Sequence, residues 1–298
     1  MMRCQISVFV LIVIMILFSC QTQEIEQYEW GHLRNLGPNI NSRGKDEHVT
    51  FIQDGKTVYF ASIREGGMGN YDIYLSRMKN GVWTPAELLP PPINTQRDEF
   101  DVFVTFDGKM MFFASNRDNQ DGYWNCDIYV SFREGKEWSE PKIFDEKFNT
   151  PEKPDWGVAI PNDFKTIIFS SGRKPAEEGM VQIFQSYRKK NGWTDPEPIV
   201  WPVNTGGWEA TPYLTPDGKT LYLNSGRGEN DKKDVDIWKF ELVNGKWTNP
   251  RLMDGPFQSD KHDYDPCLSP DGSKFYFTSN REGGLGDSDI WVAERVRK

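Results

Sequence analysis

The sequence predicts an all-β chain in which residues 28–298 form a single five-bladed β-propeller of four-stranded antiparallel blades. Three observations lead there. A turn signal recurs five times at near-constant spacing, apolar runs of alternating pattern flank it, and no stretch after residue 25 sustains the three-to-four-residue period of a helix. Composition agrees, since 11 Trp, 11 Tyr, 19 Phe, 26 Gly and 19 Pro in 298 residues suit many short strands joined by tight turns.

The five turns are Asp54-Gly55-Lys56, Asp107-Gly108-Lys109, Asn162-Asp163-Phe164, Pro216-Asp217-Gly218 and Pro270-Asp271-Gly272, with successive Asp positions 53, 56, 54 and 54 residues apart. Asp-Gly between alternating apolar runs marks a hairpin, because the turn needs positive φ and a side chain that caps its own backbone. A strand follows each turn, as in Thr57-Val58-Tyr59-Phe60-Ala61-Ser62. The next strand opens on Asp72-Ile73-Tyr74, Asp127-Ile128-Tyr129, Asp236-Ile237-Trp238 and Asp289-Ile290-Trp291, with Gln182-Ile183-Phe184 departing in repeat three. A fourth opens on Trp83, Trp138, Trp193 and Trp247. Four strands repeated radially make a propeller blade.

In this combination the repeat resembles the TolB-type Pro-Asp-Gly propeller repeat, a WD-like family, over essentially all of residues 28–298. The last repeat lacks a Trp-initiated fourth strand, while Tyr28-Glu29-Trp30-Gly31-His32-Leu33 precedes repeat one. Residues 28–36 are therefore expected to complete blade five, which leaves no open sheet edge at the seam.

Residues 1–19 read as a targeting segment: Arg3 is followed by an apolar run over residues 6–18, too short for a comfortable membrane span. Leu17-Phe18-Ser19-Cys20 resembles the bacterial lipobox. That resemblance implies a cleaved signal peptide, a lipidated Cys20 and a polar tether over residues 20–27; Gln21 after the Cys implies the outer membrane, on its periplasmic or surface face. A plain signal peptide or an uncleaved anchor is the alternative. Cys126 and Cys267 fall in repeats two and five, which are not ring neighbours, so no disulfide between them is expected.

Two charges recur at fixed distance from each turn. Ten residues after the turn Asp stands Arg64, Arg117, Arg173, Arg227 or Arg281, and eight before it Asp46, Glu99, Asp155, Glu209 or Asp263. A charge present in every repeat suits Arg–carboxylate ties within each blade. The same guanidiniums also match the carboxylate or sulfate groups of a ligand at a central mouth.

Departures from fivefold repetition are more telling. Six residues before the turn Asp the chain reads His48, Asp101, Gly157, Thr211, Asp265, and one residue earlier Glu47, Phe100, Trp156, Ala210, Tyr264. Two of the three His, His48 and His262, fall where the chain enters the inner strands of adjacent blades one and five. His48, His262, Tyr264 and Asp101 are the candidate acid–base set; the five Arg, Trp156 and Asp265 are candidate ligand contacts. Each has a bland reading too, the His as ordinary loop residues and the aromatics as a channel plug.

No zinc-type His and Cys spacing and no Ser nucleophile elbow is present, and the Gly-rich loops 65–69 and 282–286 lie between strands with no helix to hold a phosphate. The acidic loops 118–127 and 231–236 offer carboxylates that could bind calcium but lack a recognised ligand spacing, so no cofactor is expected. Without Arg3 the chain has 34 basic against 44 acidic residues, which argues against nucleic acid. Two functions stay open. One is a mouth that engages an anionic, uronate or sulfated oligosaccharide, as a binder or as a lyase or dehydratase. The other, implied by the TolB-type resemblance, is a non-catalytic envelope adaptor that binds a protein. A monomer is expected.

Overall fold

The computed structural model describes residues 28–119, 125–177, 180–227 and 235–298. The signal segment, Cys20, the tether and most of the acidic loops 118–127 and 231–236 lie outside the described residues.

Each repeat forms one antiparallel sheet, with its strands in chain order from the inside outwards. Blade one runs Asp46–Phe51, Thr57–Ser62, Asp72–Lys79, then a broken outer strand, Val82–Trp83 and Glu87–Leu88. The other inner strands are Glu99–Val104, Asp155–Ala159, Glu209–Leu214 and Asp263–Leu268. They touch one another round the ring, blade five meeting blade one. Closure is as the sequence predicts: Tyr28–Asn35 pairs antiparallel with Asp289–Arg297, from Tyr28 opposite Arg297 to Asn35 opposite Trp291.

The turns form for the expected reason. Asp54 Oδ1 accepts the amides of Lys56 and Thr57 at 2.7 and 2.8 Å, and Asp107, Asp163, Asp217 and Asp271 each accept the amide two residues on at 3.0–3.1 Å. The residue after each Asp takes positive φ; in turn three it is Phe164, at φ 54°. A non-glycine residue there costs roughly 1–2 kcal/mol, and the ring offsets this by packing against the buried cluster between blades two and three.

The core lies between blades. Phe60, Phe112, Phe169, Phe240 and Phe275 are fully buried where facing sheets interdigitate, each contributing roughly 1.5–3 kcal/mol of burial. Trp83, Trp138 and Trp193, which open the fourth strands, are buried as well. Cys126 and Cys267 are separate, buried free thiols. Helix among the described residues is confined to two short 3-10 turns, Glu146–Phe148 and Gly255–Phe257.

Candidate functional site: a one-sided polar mouth

The recurring Arg residues serve the blades, not a ligand. In blade two the Arg117 guanidinium donates to Ser115 Oγ at 3.2 Å, to the carbonyls of Pro92 and Ile93 at 3.2 and 2.6 Å, and to Glu99 Oε1 at 3.2 Å. It lies 5.0 Å from the ring centres of both Phe113 and Tyr129. The same pairing recurs as Arg64–Asp46, Arg173–Asp155, Arg227–Glu209 and Arg281–Asp263 at 2.6, 3.0, 3.8 and 2.5 Å, with every acid fully buried. None of the five guanidiniums lines the central mouth. As ligand contacts, Arg64, Arg117, Arg173, Arg227 and Arg281 are therefore corrected: each guanidinium is engaged within the blades, paired with the acid that opens its own inner strand. Each tie also uses a Ser (Ser62, Ser115, Ser171, Ser225, Ser279) whose fivefold repetition was visible in the sequence.

The variable positions form a second ring. His48, Asp101, Gly157, Thr211 and Asp265 all take left-handed backbone, at φ 56, 50, 63, 45 and 52°. In each inner strand the pairing register shifts at that point. A bulge of this kind re-aims a side chain, and here it turns four of the five into the ring's neck. His48, Asp101, Thr211 and Asp265 border both the mouth, a cavity of about 600 Å³, and a chamber of about 50 Å³ beneath it. Further towards the turn face Phe51, Phe103, Leu214 and Leu268 line a space of only about 40 Å³.

Charge gathers on one side of the neck. His48 Nε2 lies 3.3 Å from Asp101 Oδ1 of blade two and 3.3 Å from Asp265 Oδ2 of blade five. Asp265 also accepts from Thr278 Oγ1 at 3.2 Å, Asn224 Nδ2 at 3.3 Å and the His48 amide at 3.3 Å. Glu47 accepts from Tyr71 and Tyr264 hydroxyls at 2.7 and 2.6 Å and from Ser288 Oγ at 2.8 Å. Burial disfavours charge on His48, but Asp101, Asp265 and Glu47 outweigh it and hold the imidazolium above its ordinary range. Burial pushes Asp101 up to about 7, against the pull of His48, and raises Asp265 as well. For Glu47, burial is outweighed by the His48 charge and its three donors, so its carboxyl is held low.

Tyr264 is corrected as a base. Burial and the Glu47 charge raise its hydroxyl well above the usual range, and it is engaged as a donor to that carboxylate. His262 borders the mouth, its Nδ1 accepting the Val235 amide at 3.1 Å, which leaves Nε2 to carry the proton of the neutral ring. Trp156 also borders the mouth, 6.0 Å from Trp208 with planes inclined by 40°. Asn224, Thr278 and Ser170 were missed from sequence. They belong to a second variable column, Ala61, Ala114, Ser170, Asn224, Thr278, one residue before the tie Ser. Ser170 and Asn224 each cap the bulge amide of the next blade, Thr211 and Asp265 respectively, at 2.9 Å.

The closed ring of five four-stranded antiparallel blades defines the chain as a five-bladed β-propeller. Within that class its fold is consistent with a TolB-type propeller. It is similar to TolB from Acinetobacter baumannii (TM-score 0.54, 19% identity, 87% of this chain and 56% of that one), so it spans little more than half of that protein. It is also similar to a putative TolB from Agrobacterium tumefaciens (TM-score 0.52, 15% identity, 89% and 96%). An α-L-arabinofuranosidase from Podospora anserina, solved in complex with cellotriose, is as alike in shape (TM-score 0.55, 14% identity, 91% and 98%). No protein-family model and no curated protein sequence matches the chain.

Proposed function

We propose that this chain is a ligand-binding propeller whose mouth takes a neutral sugar unit, held at the cell envelope by a lipidated Cys20. The observation that carries this reading is the two-faced mouth. Trp156 and Trp208 make an apolar wall, and Asp101, His262, Asn280 and Asn70 border the same space with hydrogen-bonding groups. A pyranose has that same division, an apolar C–H face for an aromatic ring and a hydroxyl edge for polar groups. An anionic ligand is less well served. The five guanidiniums are engaged elsewhere, and Glu47, Asp101, Asp265 and Asp287 outnumber the nearby cations Lys45 and His48. Uronate elimination, which needs a cation at the substrate carboxylate and a free base, loses its Arg and its Tyr264 on the same grounds.

Calorimetric titration of the purified full chain with cellotriose, xylotriose, maltotriose and trigalacturonate tests this. Binding of a neutral trisaccharide that Trp208→Ala abolishes supports it. Binding of trigalacturonate alone, with new absorbance from an unsaturated product, would restore the lyase reading.

One observation favours a protein partner as a second reading. Val200 and Trp201 are each 77% exposed, beside a groove of about 910 Å³ on the flank of blades three and four that also contains Tyr187 and Trp247. An aromatic patch on the flank is where an adaptor would offer one. Loss of an envelope protein's binding on Trp201→Ala, with sugar binding intact, would support that role.

A further inference from the structure

Resting on the neutral-sugar reading, we propose that Asp101 is the mouth's proton-linked contact: it receives a sugar hydroxyl as a carboxylate, so that loading the mouth releases a proton. Three carboxylates stand at the floor, and they differ in what they have left to offer. Glu47 already accepts from Tyr71, Tyr264 and Ser288. Asp265 is taken up by Thr278, Asn224 and both the amide and the imidazole of His48. Asp101 meets only His48 Nε2 among the described residues, through Oδ1, and it borders the mouth. Of the six oxygens of these three carboxylates, its Oδ2 is the one that accepts from none of the described residues, on a bulge whose left-handed backbone fixes its aim.

The groups facing Asp101 are few. Blade one supplies His48 and Glu47, with Lys45 next beyond them; blade five supplies Asp265, itself faced by Tyr264. The Cys126 thiol lies within its field from blade two, and Asp155 of blade three is paired with Arg173. His48 is thus the cation beside it, and burial leaves its ionisation near neutral pH. A hydroxyl donating to a full carboxylate makes a charge-assisted bond, stronger than one to a neutral carboxyl. Binding and ionisation then favour each other.

Titration of the full chain with cellotriose, xylotriose and maltotriose at pH 6, 7 and 8, each in phosphate and in imidazole, reads both affinity and proton release. If only the ionised form binds, affinity rises about tenfold from pH 6 to pH 8, and about half a proton leaves per sugar bound at pH 7. Asp101→Asn should bind with no pH dependence and no buffer-dependent heat. Asn is at ease in left-handed backbone, and should this variant still fail to fold, the wild-type proton count decides alone. Equal affinity at pH 6 and 8 with no proton release, while sugar still binds, overturns the proposal and leaves the sugar reading standing. No heat from any of the three sugars at any pH overturns the sugar reading and the proposal with it.

Discussion

Two concentric rings of this molecule share fivefold backbone geometry and differ in everything else. The outer ring repeats one tie: a buried acid, a Ser and an Arg laid over aromatic rings, in all five blades. The inner ring repeats one backbone distortion, a left-handed bulge, but fills it with His, Asp, Gly, Thr and Asp. The tie joins the start of the inner strand to the end of the second strand in every blade, so the same side chains recur where the same contact is made. The bulge needs only its backbone shape, which leaves its side chain free to follow a ligand. Repetition therefore marks structure here, and its failure at a constrained backbone marks the candidate site.

The comparison breaks first if the ties prove dispensable. Arg117→Ala leaves Glu99 buried without its countercharge, and removing one partner of a buried pair costs about 3–5 kcal/mol. Arg77→Ala, which breaks an exposed pair with Glu87 at 3.1 Å, should cost under about 0.5 kcal/mol. Urea unfolding of both variants measures the difference; comparable midpoints would mean that the outer ring is decoration.

The inner ring should announce itself through pH. Asp101 is raised to about 7 by burial, with His48 opposing, so the unfolded chain loses that proton first and stability falls as pH climbs from about 4 through 7. His48 is also raised, by the three carboxylates against burial, and its contribution is lost as pH rises through its folded pKa. Asp155, raised to about 6 by burial despite Arg173, adds the same sign from the outer ring. Glu47 acts oppositely, its stabilisation lost as pH falls below the carboxylate range. Asp101→Asn should remove about 2 kcal/mol of the decline between pH 5 and 8, less than a lone buried acid would show because His48 shares its charge. An unaltered slope in this variant would detach Asp101 from the cluster.

Much of this was legible because repetition multiplies weak signals. One Asp-Gly is a common turn, but four of them and an Asp-Phe at near-constant spacing, with the missing fourth strand matched by residues 28–36, specify ring number and closure together. The Arg–acid pairing was legible as a pair of recurring charges, but not its aim, since spacing says nothing of whether a guanidinium turns along its blade or into the channel. The left-handed bulge was hidden too. Gly157 hints at it, and Asp and His tolerate that backbone, but Thr211 is β-branched and disguises the column. Tyr71 and Ser288 stand at one repeat position, just before the third strand, but Cys126, Val181 and Val235 fill it in the other blades, so only the assembled ring shows that these two meet at Glu47.

Gly157 tests whether the bulge is a backbone demand. A Cβ there would stand 3.0 Å from Ser170 Oγ and 3.2 Å from Pro212 Cδ, at φ +63°. Gly157→Ala should therefore cost about 1–2 kcal/mol, whereas an ordinary inner-strand glycine would gain from a side chain. Stabilisation by alanine would show that blade three can abandon the bulge.

The smallest effect is the most discriminating. Tyr264→Phe removes one of three hydroxyl donors to Glu47 and leaves the ring in place, against Ser288 and the Tyr71 hydroxyl, which still satisfy both carboxylate oxygens. The loss should be about 1 kcal/mol in urea unfolding, with sugar affinity unchanged, because this hydroxyl faces Glu47 and the ligand contact falls to Asp101. A variant that folds normally yet loses sugar binding would move the site from the neck of blades one and two to the seam of blades five and one. The variable column one residue before the bulges, Glu47 and Tyr264 among them, would then be the recognition surface, with the bulge side chains its support.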